Sequence, residues 1–309
     1  MENTTQNEIV DVFILGAGPA GLQAAVHAAR KKCRVLVAGR PEKSSLFRAH
    51  VENYLCVGGI ALGEEMLGVG LAQAKRFGAD FLAEDVLHLE QRDELFAIGM
   101  EGGRTVLART LIIATGTARR KLKVKGEKEL TGRGVSYCVD CDANFYRNAR
   151  VAVVGNESAA VDGALTLLGY AAEVFLVAGE LAVSGELRAK LAESKVTLLE
   201  QAGVKEIIGD TKVEALLLED GRSLAVDGVF IELGAKGAIE LATNLGVQLD
   251  METFTHIDTN KKQETSVAGI YAAGDITGLP YQMAKAVGEG CIAGLEAATL
   301  ALKLRRSGV

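Results

Sequence analysis

A chain of 309 residues is longer than the roughly 100–200 residues of one domain, so we expect two domains in one polypeptide. Apolar residues at 49% and 36 glycines indicate an ordered α/β protein with many tight turns. A net charge of −6 argues against a nucleic-acid or membrane partner, because both need clustered Lys and Arg. The sequence also has no run of about 18 apolar residues and no basic, apolar leader, so we expect a cytoplasmic protein.

The first predicted element is a βαβ unit near the N-terminus. An apolar strand from Asp11, a glycine-rich turn and an Ala/Leu-rich helix lead to a second apolar strand from Arg34. The same order returns later in the chain, from Arg150 and then from Glu173. Because strand, helix and strand in this order form a parallel sheet, the repeat predicts two sheets of nucleotide-binding type.

The remaining predicted elements lie between and after the two copies. They are a helix near 63–77 and strands near 79–89, 95–100, 111–114 and 229–233. Polar crossovers are expected at 119–128 and 241–246. The segment from Gly269 to the C-terminus lacks a third complete βαβ unit, so we expect it to rejoin the first domain.

The turn after the first strand fits the pattern G-x-G-x-x-G, in which glycines let the backbone approach a pyrophosphate at a helix N-terminus. The alternative is an ordinary tight turn between strand and helix. The acid expected about 20 residues later, for a ribose hydroxyl, is missing, so the adenosine end is held in another way. The residues predicted to bind the dinucleotide here are Gly16, Gly18, Pro19, Ala20, Gly21, Gly39 and Arg40.

Two of the five cysteines, Cys138 and Cys141, form a C-x-x-C pair followed by Asp142. Such a pair can close a disulfide over a very short loop, and a helix starting near Cys141 would stabilise its thiolate. Zinc is the main alternative, but structural zinc needs four Cys or His ligands and the other cysteines are isolated; accidental pairing is a third. We predict a redox pair and no metal. Asp142 is either an acid/base beside the thiols or a helix-capping residue.

Two further motifs end apolar strands, Ala114-Thr-Gly116 and Ala273-Gly-Asp275. Ligands of α/β proteins bind at the carboxyl edge of the sheet, where both motifs are expected. Taken singly, each is as consistent with an ordinary turn. Asp275 suits a sugar or ribityl hydroxyl as a hydrogen-bond acceptor.

Together these residues resemble the low-molecular-weight thioredoxin reductase family over nearly the whole chain. The motifs that carry the resemblance are Gly16–Gly21, Val51–Tyr54, Thr115–Gly116, Gly134–Tyr146 (GVSYCVDCDANFY), Ala273–Asp275, Pro280–Gln282 and Gly288–Cys291. The resemblance implies an α/β fold of two Rossmann-like, three-layer domains, the second inserted in the first. The FAD-binding domain would comprise 1–116 and 247–309, and the middle domain 117–246 would carry the C-x-x-C pair.

The resemblance also implies roles for individual residues. Cys141 would face the flavin ring, Cys138 would attack a disulfide of a thioredoxin-like partner, and Asp142 would donate and accept the proton. A homodimer is implied as well. Besides the glycine-rich turn, Gly39 and Arg40, the predicted FAD-binding residues are Asn53, Val86, Thr115, Gly116, Gly274, Asp275 and Gln282.

The middle domain departs from the family where NADPH normally binds. Glu157 aligns with Gly18, so a carboxylate stands where a pyrophosphate would approach. Like charges about 4 Å apart cost about 1–4 kcal/mol in a wet site. The family's His-Arg-Arg, which grips the 2′-phosphate, is replaced by Ala178-Gly-Glu180. In the FAD domain, the Gly-Gly-Gln-Leu loop is absent around Lys43–Leu46 and Tyr281 replaces an Arg.

These departures resemble the pyridine-nucleotide-independent branch of the family, whose members take electrons from ferredoxin or carry an additional flavin. We therefore expect FAD, disfavour NADPH, and predict electron transfer from another donor, ferredoxin or a second flavin, to a protein disulfide such as that of thioredoxin. Three alternatives stay open. They are an NADPH-dependent thioredoxin reductase with an atypical pocket, a flavin-dependent dithiol oxidase that uses oxygen, and a flavin redox sensor without turnover.

Overall fold

The chain forms two units in a computed structural model that describes residues 9–116, 121–234, 236–252 and 254–309. The first unit comprises the described residues of Met1–Met100, Arg104–Ala118 and Leu241–Val309. The second comprises those of Glu101–Gly103 and Arg119–Glu240. The second unit therefore consists almost entirely of one continuous segment, whereas the first is built from both ends of the chain.

The N-terminal part of the first unit contains eight named strands and two helices. Their bounds are β1 (Ile9–Leu15), α1 (Pro19–Arg30), β2 (Val35–Ala38), β3 (His50–Val51), β4 (Ala61–Leu62), α2 (Gly63–Arg76), β5 (Ala79–Leu82), β6 (Val86–Arg92), β7 (Leu95–Met100) and β8 (Thr105–Ile113). Strand β1 is apolar and buried along nearly its whole length, as expected for a strand covered on both faces of a parallel sheet.

The middle part of the chain forms the second unit. Its elements are β9 (Val135–Ser136), α3 (Val139–Asp142), β10 (Arg150–Val154), α4 (Ser158–Leu167), β11 (Glu173–Val177), α5 (Gly185–Ala192), β12 (Thr197–Leu199), β13 (Val204–Gly209), β14 (Val213–Leu218), β15 (Ser223–Ala225) and β16 (Gly228–Ile231). Helix α6 (Ala238–Asn244) crosses the boundary between the units, and β17 (Ile270–Ala272) and α7 (Met283–Arg306) complete the first.

The large sheet of the first unit has the order β5-β2-β1-β8-β7-β6. Strands β5, β2, β1 and β8 run parallel, and β6 and β7 form an antiparallel extension. On the side away from β1, the first half of β8 pairs with β7 and its second half pairs in parallel with β17. The last strand of the chain therefore joins the sheet that the first strand began.

Helix α7 packs on α1 through small residues. A Cβ at Gly290 or Gly294 would overlap the backbone of Ala20 or Ala24, so glycine is what allows the two helices to approach this closely. The buried alanines of both helices fill the remaining space in one core cluster. This close contact explains why the C-terminal helix is rich in Ala and Gly.

The second unit contains a parallel sheet in the order β12-β11-β10-β16-β9 and an antiparallel sheet β13-β14-β15. The pairings β1 with β2 and β10 with β11 are the two copies of the βαβ repeat expected from the sequence. The predicted α/β class with two Rossmann-like units is thereby confirmed. Of the helices in the described residues, none is long and apolar enough to span a membrane.

Two predicted connections differ from expectation or extend beyond the described chain. Of the crossover expected at 119–128, residues 119 and 120 lie outside the described residues, and Lys125 forms a β-bridge with Glu206. At the crossover expected at 241–246, helix α6 continues to Asn244, with Leu241 and Ala242 buried, and a turn follows at 245–246.

Candidate active site

The two cysteines of the C-x-x-C pair form a disulfide, with 5.4 Å between the Cα atoms. Cys138 is the N-cap of the short helix α3, and its backbone is extended, which turns the chain into the helix. The backbone N–H of Cys141 donates to Cys138 Sγ at 3.2 Å. Cys138 is 7% exposed, whereas Cys141 is exposed. The helix therefore begins at Cys138, not near Cys141 as expected from the sequence, and it directs an amide at the Cys138 sulfur, where it would stabilise a thiolate.

Asp142 is tied to the dithiol by Ser136, which ends strand β9. The Ser136 hydroxyl donates to Asp142 Oδ2 at 2.6 Å and accepts the backbone N–H of Cys138 at 3.1 Å. In the described structure, the 3-10 helix Ala143–Tyr146 receives no side-chain cap from Asp142. The carboxylate is thus held beside the cysteines by a hydroxyl that the sequence analysis did not single out.

Beneath the dithiol lies a cluster of ionisable side chains that the sequence analysis missed. Glu232 Oε1 accepts the backbone N–H of Val139 at 3.3 Å, and Glu240 Oε1 accepts that of Asp140 at 3.4 Å. Lys236 Nζ lies 2.8 Å from Asp140 Oδ2. The signal in the sequence was the spacing of 232, 236 and 240 next to an apolar strand, because charged residues in such surroundings are buried only when they are paired.

Burial and neighbouring charge shift the protonation of this cluster. Burial, reinforced by Glu240, raises the pKa of Glu232 to about 8. Burial likewise raises the pKa of Glu240 to about 7, although Lys236 opposes it. For Lys236, burial alone would lower the pKa, but Asp162, Asp140 and Glu240 together raise it. Near neutral pH the cluster therefore holds a charged lysine and carboxyl groups that are partly protonated.

The turn between β1 and α1 provides a cradle in the first unit. Gly16 has φ +117°, and a Cβ there would overlap the backbone of Ala114. A Cβ at Gly18 would lie 3.3 Å from the Ser44 hydroxyl. Gly18 caps the 12-residue helix α1 without a side-chain hydrogen bond, and the first turn has no acidic residue. Backbone amides are therefore open to an anionic group, which fits the pyrophosphate of a dinucleotide.

Gly39 and Arg40 follow β2, where the missing acid was expected. Gly39 has φ +141° and its N–H donates to Leu82 at 3.0 Å, which joins this turn to the end of β5. Arg40 forms an ion pair with the buried Asp85, the residue before Val86. The predicted residues Gly39, Arg40 and Val86 are thereby brought to one edge of the sheet, and Asp85 is a partner that the sequence analysis did not predict.

A polar network holds the Gly274–Asp275 motif after β17. The N–H of Gly274 donates to Glu289 Oε2 at 2.8 Å, and Lys285 Nζ donates to the Gly274 carbonyl at 2.9 Å. Gly274 has φ +88° and lies against Ala20 of helix α1. Burial raises the pKa of Asp275, partly offset by Lys285. The motif thus lies beside the glycine-rich turn, as its proposed contact with the same ligand requires.

Three other predicted residues lie on loops of the first unit. Asn53 Nδ2 donates to Gln282 Oε1 at 3.3 Å, so residues from opposite ends of the chain meet. Tyr281, next to Gln282, bonds His256 Nε2 at 2.7 Å. Thr115 and Gly116 follow β8 directly, and Gly116 has φ +73°.

The corresponding turn of the second unit, between β10 and α4, is different. Asn156 Oδ1 accepts the N–H of Gly179 at 2.8 Å, and the Asn156 carbonyl accepts the N–H of Ala182 at 2.8 Å. The turn is thereby tied to the segment after β11. Glu157 is the N-cap of α4, in the place that Gly18 takes in α1, and Glu180 is exposed. Acidic and amide side chains therefore stand where the first unit has only backbone.

A helix-capped disulfide in one Rossmann-like unit and a glycine cradle in another define a disulfide oxidoreductase of the dinucleotide-binding type. The chain belongs to the pyridine nucleotide-disulphide oxidoreductase family, whose sequence profile matches residues 10–290. Family membership implies FAD, which the cradle of the first unit fits.

Individual relatives agree with this assignment. The chain is 35% identical to a thioredoxin reductase of Listeria monocytogenes serovar 1/2a, covering 98% of this chain and 97% of that one. The solved structure of an atypical thioredoxin reductase from Desulfovibrio vulgaris Hildenborough has a TM-score of 0.82 at 33% identity, covering 94% and 98% of the two chains. A ferredoxin-flavin thioredoxin reductase from Clostridium acetobutylicum has a TM-score of 0.68 at 33% identity, covering 96% and 99%. The protein is a thioredoxin reductase-like flavin disulfide oxidoreductase with a Cys138–Cys141 disulfide.

Proposed function

We propose that the protein carries electrons from a donor other than NAD(P)H, through FAD and the Cys138–Cys141 pair, to the disulfide of a thioredoxin-like protein. The observation that carries the proposal is the turn between β10 and α4, where Asn156 bonds the N–H of Gly179 and Glu157 caps the helix. In this proposal 1–116 and 247–309 form the FAD domain and 117–246 the dithiol domain. The protein would act as a cytoplasmic homodimer.

Charge in the second unit opposes a bound dinucleotide. A carboxylate about 4 Å from a pyrophosphate costs about 1–4 kcal/mol, and Glu157 stands at the helix start where a pyrophosphate would lie. The residues after β11 are Ala178, Gly179 and Glu180, so this turn offers a carboxylate where a 2′-phosphate needs cations. Each of these two features by itself disfavours the binding of NADPH.

The relatives support both ends of the electron path. Several similar proteins are thioredoxin reductases, among them those of Listeria monocytogenes serovar 1/2a and Bacillus subtilis, which favours a thioredoxin-like acceptor. One similar structure is named a ferredoxin-flavin thioredoxin reductase and another an atypical thioredoxin reductase. A ferredoxin-like protein is therefore the favoured donor class, with a second flavin as the other source of electrons.

In this proposal the amides around Gly16 and Gly18, together with Asp275, Asn53 and Gln282, would hold FAD in the first unit, and Asp275 would accept a hydrogen bond from a ribityl hydroxyl. Bound FAD would supply the two-electron redox chemistry between the donor and the disulfide. The residues of this chain do the rest. They repel an anionic dinucleotide from the second unit, hold the dithiol in place and transfer a proton to it.

Reduction of the disulfide takes up two electrons and, with Cys138 left as a thiolate, one proton. The bond between Cys138 and Cys141 breaks, both sulfurs are reduced, and Asp142, held by Ser136, delivers a proton to the pair. The Cys138 thiolate then attacks one sulfur of the partner's disulfide and forms a mixed disulfide. Cys141 attacks Cys138 in turn, which restores the original disulfide and releases the reduced partner.

The decisive experiment is an anaerobic titration of the flavin-loaded protein, first with NADPH and then with reduced ferredoxin, followed by flavin absorbance. We expect reduced ferredoxin to bleach the flavin rapidly, on the time scale of catalytic turnover. NADPH at micromolar concentration should leave the flavin oxidised. Rapid bleaching by NADPH would overturn the proposal. Oxygen consumption with a small dithiol, measured in parallel, identifies an oxidase instead.

A further inference from the structure

The cluster of Glu232, Lys236, Glu240 and Asp140 lies under the redox pair and has no part in the steps above. The side chains of Lys236 and Glu240 are 5% and 3% exposed, and Glu232 is 6% exposed. Two buried carboxyl groups bond the backbone N–H groups of Val139 and Asp140, the two residues that separate the cysteines. The cluster therefore acts directly on the loop that the disulfide closes.

We infer that Glu232 is a positioning residue that, with Glu240, fixes the turn between the cysteines and couples the reduction of the Cys138–Cys141 pair to proton uptake by the buried cluster. This inference rests on the proposed function only in taking that pair as the redox centre. The inference is about the protonation of the cluster when the two cysteines are reduced. It holds for any electron donor.

Glu232 is surrounded by charges from each element that packs near it. Asp140 comes from α3, Glu240 from α6 and Lys236 from the segment before α6, and all three act on the carboxyl group of Glu232. From α4, Asp162 Oδ2 lies 3.3 Å from Lys236 Nζ. When every carboxyl group is ionised, four negative charges face one lysine. Protonation of Glu232 and Glu240 lowers that number to two.

The charge of the cluster changes the balance between the disulfide and the reduced pair. Reduction breaks the S–S bond and takes up two electrons, with two protons when both thiols form and one when a thiolate remains. An ionised Glu232 beside Val139 opposes a new negative charge on a neighbouring sulfur, because burial weakens screening. A neutral Glu232 does not. Formation of the thiolate therefore favours protonation of the cluster, and protonation of the cluster favours the thiolate.

The direction with pH follows from the raised pKa values of about 8 for Glu232 and about 7 for Glu240. At pH 6 both carboxyl groups are largely neutral, so removing the charge of Glu232 changes the equilibrium little. As pH rises through 8, Glu232 ionises and disfavours the thiolate. Replacing Glu232 by Gln keeps an oxygen that can accept from Val139 but removes this charge, so the reduced pair becomes easier to form at high pH only.

The test is a redox equilibrium of the full-length, flavin-loaded protein with glutathione under anaerobic conditions between pH 6 and 9. Acid quenching and alkylation, read at the peptide that contains Cys138 and Cys141, give the reduced fraction. We expect Glu232→Gln to favour the reduced pair about tenfold at pH 9, which is about 30 mV for a two-electron couple, and less than twofold at pH 6. Glu193→Gln, an exposed glutamate of the same unit, is the matched control and should match the wild type.

Each outcome decides the matter. If Glu232→Gln equals the wild type at every pH, the inference is overturned while a reversible Cys138–Cys141 titration leaves the proposed function intact. If the pair does not titrate reversibly at all, the proposed function fails and the inference falls with it. If Glu232→Gln loses its flavin or unfolds, Glu240→Gln, which removes the other carboxylate that accepts from the turn, takes its place: we expect it to favour the reduced pair more at pH 9 than at pH 6, and equality with the wild type at every pH refutes the coupling.

Discussion

The ammonium of Lys236 lies 2.8 Å from a carboxylate oxygen of Asp140, a residue between the two cysteines of the disulfide. Lys236 also lies within 3.8 Å of Glu240 and 3.3 Å of Asp162, so one buried cation serves three carboxylates. Removing one member of a buried ion group leaves the others uncompensated, which costs far more than losing an exposed pair.

This arrangement predicts a large loss of stability for Lys236→Met. We expect the free energy of unfolding of the middle unit to fall by about 3–5 kcal/mol, because Asp140, Asp162 and Glu240 lose their shared cation. Hydrogen exchange of peptides from the second unit measures it. Lys190→Met removes an exposed pair with Glu186 and should cost less than about 1 kcal/mol. Equal losses in the two variants would contradict the prediction.

The protein should lose stability between pH 5 and 8 through Glu232. Its pKa rises from 4.5 to about 8 on folding, mainly because of burial, so its contribution is fully present below 4.5 and is lost as pH rises through 8. Glu232→Gln removes this titration. Between pH 5 and 8 the variant should therefore become about 2–4 kcal/mol more stable relative to the wild type. Urea unfolding at several pH values measures it, and a difference independent of pH would refute the assignment.

Variants of the two cysteines should separate their roles. With Cys141→Ser, attack by Cys138 on thioredoxin should leave a stable mixed disulfide, because no second thiol resolves it. Cys138→Ser should leave none. Non-reducing gel electrophoresis after mixing with oxidised thioredoxin measures the product, and Cys56→Ser, which removes an exposed cysteine elsewhere, should behave like wild type. A mixed disulfide that forms only with Cys138→Ser would reverse the assignment.

The glycine cradle of the first unit should be intolerant of a methyl group. Gly16→Ala places a Cβ against the backbone of Ala114 at a φ of +117°, so we expect the flavin content of the purified protein to fall at least about tenfold. The ratio of flavin to protein absorbance measures it. Gly68→Ala, in helix α2 with open space around it, should keep its flavin. Full flavin content in Gly16→Ala would show that FAD is held elsewhere.

Charge reversal in the second unit should allow NADPH to reduce the flavin in part. The double variant Glu157→Ala, Glu180→Arg removes one carboxylate from the turn and exchanges another for a cation. Since each like-charge contact costs about 1–4 kcal/mol, we expect NADPH to reduce the flavin at least about tenfold faster than in wild type. Stopped-flow absorbance measures the rate. Glu193→Arg makes the same change of charge as Glu180→Arg away from this turn and should leave the rate unchanged.

The sequence predicted the fold where the pattern was local. The two βαβ copies, the helix at 63–77 and the C-x-x-C pair each depend on residues close together in the chain, and the structure contains all three. Family membership, the flavin disulfide oxidoreductase class and the redox disulfide follow from the same motifs. The electron donor is proposed from the turn between β10 and α4 and from the similar structures, since a docking surface has no short motif.

What the sequence did not reveal depends on contacts between distant residues. Glu232 and Lys236 reach Val139 and Asp140 only because β16 pairs beside β9 in the sheet. In the same way, Asp85 reaches Arg40 because β5 ends beside β2. The spacing of 232, 236 and 240 can indicate a buried cluster, but nothing in the sequence indicates which distant residues it contacts.

The pairing of β17 with β8 and the packing of α7 on α1 have a consequence for synthesis of the protein. The first unit lacks one strand and its longest helix until residues 270–306 have left the ribosome, whereas the second unit is almost one continuous segment and emerges earlier. We therefore expect the redox pair to sit in a folded domain while the cofactor site is still incomplete. Nascent chains would then have to form this disulfide, or stay reduced, before any flavin is present to exchange electrons with it.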